Sequence, residues 1–184
     1  MSIGESTAYK AAAIEGLQRL AALFGDHATL DATPITPSEL QPPFRELLQH
    51  DEHMTLKLRA HHGQPLKLKV LAEQQCCNTY ARRIVLTLGP AGRPVEFGLV
   101  RIDLDLLPPA VTTAIQKRDT PLGDILVKHD VLRRVEPRWY YRFGSESGVR
   151  KVLQVNGQAE VFGRAGRIFC NEQPAIEVLE VVSA

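Results

Sequence analysis

The C-terminal stretch Val161 to Val182, VFGRAGRIFCNEQPAIEVLEVV, places the tightest constraint on the fold. It predicts two strands joined at Asn171-Glu172-Gln173, with Pro174 opening the second. Alternate side chains of a strand share a face. From Ile176 onward, one face carries Ile176, Val178, Glu180 and Val182, and the other carries Glu177, Leu179 and Val181. Glu180 therefore sits among three β-branched neighbours on a face expected to point inward. A carboxyl there is costly unless it finds a partner or stays protonated. Two readings are open at this point. Glu180 is a strand-edge acid that reaches water, or it shares a cavity with a basic group.

The chain can support a buried acid. Its 184 residues suffice for one domain with a sizeable core, and the 44% hydrophobic and 23% charged fractions are those of a soluble globular protein. A net charge of +1 gives no electrostatic case for nucleic acid or an anionic membrane. Any anionic ligand must therefore be held by local basic groups and not by the overall field. Cys76, Cys77 and Cys170 show no zinc spacing, and three cysteines suit a reducing compartment better than a disulfide scaffold. The N-terminus lacks the basic start and unbroken apolar core of a signal peptide. No run approaches membrane-spanning length, so a cytoplasmic location is expected. His61-His62 has no acidic ligand at metal spacing. A metal site is therefore not expected there, and the chain shows no glycine-rich phosphate loop and no Gly-x-Ser-x-Gly.

Residues 6–24 repeat apolar groups at helical spacing, with Gly25 as a stop. Residues 26–43 read as irregular chain that wraps the domain, and Phe44 to Gln49 as a short helix. This divides the chain into an N-terminal helix and linker, residues 1–50, and a domain over 51–184. Strands are expected at Met54 to Arg59, Leu66 to Val70, Tyr80 to Leu88 and Val95 to Asp103. A turn at His61-His62-Gly63-Gln64 and another at Gly89 to Pro94 would join them in pairs. Helices are expected at Leu106 to Lys117 and Asp124 to His129, then a strand at Val131 to Phe143, a Gly/Ser loop at 144–150, and further strands from Lys151. Short connections favour antiparallel pairing, so the fold class is α+β, a single antiparallel sheet with helices on one face.

Two adjacent arginines could partner Glu180. In the strand from Tyr80, Arg82 shares a face with Tyr80, Ile84, Leu86 and Leu88, whereas Arg83 shares the other with Ala81, Val85 and Thr87. Periodicity favours Arg82 as the buried one. Either a snorkelling arginine or a guanidinium fork that clamps a carboxylate fits the pattern. Arg164 and Arg167 bring two more basic groups beside the Glu180 strand, to hold anions or to coat a surface.

Several short blocks together resemble the chorismate lyase (chorismate pyruvate-lyase) family over about Glu52 to Val182. They are Met54-Thr55, Tyr80-Ala81-Arg82-Arg83, Gly92-Arg93-Pro94, Thr120-Pro121-Leu122-Gly123, Phe162-Gly163-Arg164 with Arg167, and Pro174 with Glu180. The resemblance implies a chorismate lyase-like fold with an internal cavity. It places the family's substrate arginine on Arg83, its active-site glutamate on Glu180 with Glu177 as the alternative, and substrate contacts on Met54, Leu122 and Arg164. The implied activity is elimination of pyruvate from chorismate, a dicarboxylate, to give 4-hydroxybenzoate without metal or cofactor. Arg83 would pair with the ring carboxylate, and Glu180 would bind the opposite end and assist proton movement. The same fold serves bacterial transcription regulators as a ligand-binding domain. The second reading is therefore a non-catalytic sensor of a small aromatic carboxylate. No helix-turn-helix is visible, so a complete regulator is not expected. A structural protein with the helix at 6–24 as its docking element is the third reading.

Overall fold

The two C-terminal strands lie in the middle of one antiparallel sheet. In the computed structural model, which describes residues 3–25, 30–89 and 92–183, they are β6 (Val161–Cys170) and β7 (Gln173–Ser183). The remaining strands are β1 (Ala32–Ile35), β2 (Leu66–Cys76), β3 (Thr79–Leu88), β4 (Arg93–Asp103) and β5 (Arg133–Phe143). Their spatial order is β1-β5-β6-β7-β4-β3-β2, every neighbouring pair antiparallel. The β6–β7 turn rests on Asn171 and Glu172, both at positive φ (48° and 65°), the conformation that a two-residue hairpin of this twist requires.

Among the described residues there are six α-helices: α1 (Ile3–Ala22), α2 (Phe44–Leu48), α3 (Met54–His62), α4 (Pro109–Gln116), α5 (Leu122–Lys128) and α6 (Gly148–Val152). Helices α2 to α5 cover the sheet face that carries Ile84, Leu86, Val100, Ile176, Val178 and Val182. The opposite face, with Phe97, Leu99, Tyr141, Leu179 and Val181, packs against α1 and α6. Both faces are thus covered, which explains why the odd and the even residues of β7 are equally apolar. The N-terminal helix is tied down at several points. The Tyr141 hydroxyl donates to the Ala13 carbonyl at 2.8 Å, and the Tyr9 hydroxyl donates to the Ile35 carbonyl at 3.1 Å.

Three expected stretches are different in the structure. The Gly/Ser loop expected at 144–150 and the strand expected from Lys151 give way to α6 (Gly148–Val152), and the next strand begins only at Val161. Met54 to Arg59, read as a strand from its Leu-Lys-Leu alternation, is the first part of α3. Met54 and Leu58 are buried one turn apart while Leu56 is exposed, and Gly63 caps the helix at φ 63°. His61 and His62 therefore end a helix rather than form a turn. Within the expected linker, Ala32–Ile35 pairs with Tyr140 to Phe143 as an edge strand. Residues 26–29, including His27, and Pro90-Ala91 in the β3–β4 turn lie outside the described residues. Among the described residues, no helix is long and apolar enough to cross a membrane.

Gly16 shows how closely α1 is seated. A Cβ there would lie 2.4 Å from the Trp139 ring. Gly16→Ala gains helix propensity but drives a methyl into a rigid indole. We expect a net loss of about 1–3 kcal/mol, read from urea unfolding followed by the fluorescence of Trp139. Stabilisation by this variant would mean that α1 is not held against β5.

Candidate functional site

The cavity between α3, α5 and the sheet is built on the register of three strands, β3, β4 and β7. In the β3–β4 ladder Arg82 lies opposite Val100, Ile84 opposite Gly98, and Leu86 opposite Glu96; Gly98 in turn lies opposite Glu180 of β7. Alternation aims Arg82, Ile84, Glu96, Gly98, Val100, Val178 and Glu180 at the same side, where all of them line the cavity. Gly98 keeps the floor low, since a Cβ there would meet the Ile84 side chain at 3.0 Å. The roof is the start of α3, with His53, Met54 and Thr55, together with Pro121, Leu122 and Gly123 at the start of α5. A bidentate Arg59–Asp124 pair at 2.8 and 2.5 Å locks α3 to α5. The space open to the centre of a water molecule is about 50 Å³.

The two ends of this space differ in charge. Arg82 is 1% exposed, and its Nε and Nη1 have no hydrogen-bond partner. A side-chain hydrogen bond links it to Tyr80, whose hydroxyl donates to Glu73 at 2.8 Å. Burial lowers the guanidinium pKa, with Tyr80 and Glu73 opposing the shift. The same burial raises Tyr80 to about 12. Four residues further along the sheet, roughly 13 Å at about 3.3 Å per residue, Glu96 is 4% exposed and its Oε2 has no partner. Desolvation pushes the Glu96 pKa well up, the nearby Glu180 adds to the rise, and Arg164 opposes it. Thr55 Oγ1, under the roof, is also buried without a partner.

Arg164 is saturated. Its Nε donates to Glu180 Oε2 at 2.7 Å, Nη1 to the Leu48 and His50 carbonyls at 3.1 and 2.6 Å, and Nη2 to the Glu52 carbonyl at 3.2 Å. His50 Nε2 lies 2.8 Å from the Leu47 carbonyl, while its Nδ1 accepts from the Glu52 amide at 3.2 Å. That places the proton on Nε2 of a neutral ring. Burial and then Arg164 lower the His50 pKa to about 4. His53 accepts from Arg133 Nε at 2.7 Å, and burial followed by Arg133 lowers its pKa too.

Of the residues singled out in the sequence, Met54, Leu122 and Glu180 line the cavity. Arg164 lies beneath it, holding Glu180. Glu177 faces the α1 side, where Arg19 (3.6 Å), Arg101 (3.9 Å) and Arg167 (3.2 Å) surround it. Arg83 is also on that side, its guanidinium carbon 5.7 Å from the centre of the Phe24 ring. It lines a separate surface hollow with Leu30, Leu71 and Phe97. The arginine that shares the cavity with Glu180 is Arg82, as strand parity favours. Glu96 and His53 are cavity residues that the sequence reading passed over, and Thr55, named there only within the Met54-Thr55 block, is a third. Glu96 carried a signal, because it shares a face with Val100 and Ile102, much as Glu180 does with Val178 and Val182. Among the described residues, no group of three or more His, Cys, Asp or Glu is placed to hold a metal ion.

No protein-family model matches the chain, and no curated protein matches it. Solved structures similar to it include PhnF from Mycobacterium smegmatis (TM-score 0.48, 9% identity, covering 72% of this chain and 64% of that one). The effector domain of PhnF from the same organism has a TM-score of 0.48, 10% identity and 72% and 88% coverage. The C-terminal domain of the histidine utilization repressor from Pseudomonas syringae has a TM-score of 0.46, 12% identity and 65% and 92% coverage. The chain thus spans less than two thirds of the PhnF chain. Similarity at this level concerns fold alone.

The chorismate lyase activity implied by the sequence resemblance is corrected by where its residues lie: the Arg83–Glu180 pairing on which the lyase scheme turns is not assembled, because Arg83 is on the opposite face of the sheet from Glu180.

The buried carboxyl makes stability depend on pH. A pKa raised in the folded state contributes stability that is complete below the unfolded value, near 4.5, and is lost as pH rises through the folded pKa. Glu96→Gln removes this loss. We expect the variant to match the parent near that pH and to gain on it steadily as pH rises, in urea titrations across the series. The depressed His50 has the opposite sign, its contribution being lost as pH falls from 6.5 through about 4. A constant difference between Glu96→Gln and its parent across the series would contradict the buried neutral carboxyl.

Proposed function

We propose that the chain is a small-molecule binding protein whose cavity takes up a small aromatic carboxylate without converting it. The observation that carries this reading is Arg82, a guanidinium 1% exposed with two nitrogens unpartnered. A buried unpaired charge costs several kcal/mol. It is retained where something outside the chain completes it. A planar fork with free donors suits a carboxylate, accepted side by side. Thr55 Oγ1 adds a hydroxyl in the same space. Ile84, Val100, Leu122 and Val178 offer apolar walls to the body of the ligand. Glu180 and Arg164 satisfy one another, which suits a fixed wall better than a group that must move protons.

Thermal unfolding with benzoate tests the reading. A ligand bound only by the folded state stabilises it by about 2.7 kcal/mol at a hundred times Kd, so the midpoint should climb with concentration. Arg82→Met keeps the volume and removes the unpaired charge. Without ligand it should be as stable as the parent or more so, and it should no longer respond to benzoate. Chorismate incubated with the protein should be recovered unchanged. A benzoate response that survives in Arg82→Met would sink the proposal.

A further inference from the structure

The end of the cavity remote from Arg82 holds two acids and one counter-charge. Glu180 and Glu96 flank Gly98 on the same face of the sheet, one on β7 and the other two residues along β4. Arg164 gives its Nε to Glu180 and its other donors to the carbonyls of Leu48, His50 and Glu52. None of those hydrogen bonds reaches Glu96, whose Oε2 stays buried and unpartnered while its side chain lines the cavity. The site therefore has unlike ends: a guanidinium with two unpartnered nitrogens at one, a carboxyl with an unpartnered oxygen at the other, and apolar walls between.

Resting on the reading of the cavity as a carboxylate site, we infer that its ligand also carries a cationic nitrogen at the end opposite its carboxylate, and that Glu96 receives it. The chemical class is an amino-substituted aromatic acid, not a dicarboxylate. In the unliganded protein Glu96 is surrounded by Glu180 from β7 and Arg164 from β6, with Arg82 from β3 and His53 from the start of α3 lining the same space. The rest of the lining carries no charge. The proton on Glu96 spares the protein a second buried anion. When an ammonium group enters, the Glu96 carboxyl O–H gives its proton to solvent. The ammonium keeps all its protons and donates one N–H to the resulting carboxylate. Binding is thus a one-for-one exchange of a proton for a cation at this end. A ligand with an apolar group there leaves the proton in place.

Two isosteric acids separate the cases: para-(aminomethyl)benzoate and para-ethylbenzoate. Calorimetric titration near neutral pH, repeated in buffers of different ionisation enthalpy, reads both affinity and protons released. The aminomethyl acid should bind at least about tenfold more tightly, the order expected when a buried carboxylate gains an opposite charge. It should release close to one proton, and the ethyl acid none. In Glu96→Gln the two acids should become equal within about a factor of three, with no proton release, while Arg82→Met should bind neither. Equal affinities in the parent protein, or tighter binding without proton release, overturn this inference and leave the carboxylate reading standing. Binding of neither acid by the parent protein overturns both.

Discussion

The fold around the cavity hangs on the Arg164 guanidinium. It projects from β6, next to the central strand, and is 1% exposed. Its donors are taken by Glu180 and by the carbonyls of Leu48, His50 and Glu52. Those carbonyls belong to the chain that leaves α2, crosses the sheet and enters α3. The Leu48 carbonyl is buried, and leaving it without a donor would cost free energy comparable to a lost hydrogen bond; Arg164 supplies that donor and ties down the partly buried His50 and Glu52 carbonyls as well. His50 completes the arrangement as a neutral ring, giving its Nε2 proton to Leu47 and accepting the Glu52 amide at Nδ1. The crossing fixes where α3 begins, and the Arg59–Asp124 pair carries that placement on to α5. The cavity is the gap left when two helix starts are held at that height above a floor lowered by Gly98.

The contrast between the two buried arginines explains what the molecule is built for. Arg164 is satisfied, and removing it would strand Glu180 and three carbonyls. Arg82 is equally buried, yet two of its nitrogens meet nothing. Optimisation for stability alone would have placed an apolar side chain among Ile84, Val100 and Val178. A methionine or leucine at position 82 would fill that space without desolvation cost. Glu96 is the same anomaly with opposite sign. Both lie in one cavity, and neither compensates the other because they stand four strand residues apart. Arg82, Glu96 and Thr55 each have a buried polar atom without a partner and line the same cavity, between well-packed clusters, and this supports the binding proposal.

How much of this was legible follows from which periodicity each residue obeyed. The hairpin at Asn171-Glu172, the two faces of β7 and the burial of Arg82 all come from a period of two, and the structure keeps them. Glu96 was within reach of the same logic, but the short Val-Glu-Phe-Gly run lies next to a proline turn and a bulge at Leu86/Thr87, where alternation is hard to follow. Met54 to Arg59 failed for the opposite reason. A three-residue Leu-Lys-Leu alternation is too short to separate strand from helix, and the helix-forming Met, Leu, Lys and Arg side chains, closed by Gly63, decided the outcome. Strand β1 had no local signal. Four residues with a proline among them become a strand only because the exposed edge of β5 offers partners, a tertiary effect invisible in the segment itself. The role of Arg164 was equally hidden, since backbone carbonyls more than a hundred residues away leave no mark in its neighbourhood.

The correction at Arg83 has a general basis. Short blocks such as Thr-Pro-Leu-Gly or an aromatic-Gly-Arg run report the local geometry of a fold, because helix starts and close strand approaches demand those residue types wherever they occur. They do not report chemistry, which depends on which face a side chain takes. In a strand, moving an assignment by one residue moves the group through the sheet to the other side. Matching Tyr-x-x-Arg by its last arginine put the functional group beside Phe24 and α1, whereas the inward guanidinium is one position earlier. A sheet covered on both faces makes such an error easy, since burial no longer marks the correct side. What marks it is which groups line the cavity together. Arg82, Glu96 and Glu180 do so, and Arg83 lines a hollow on the other face.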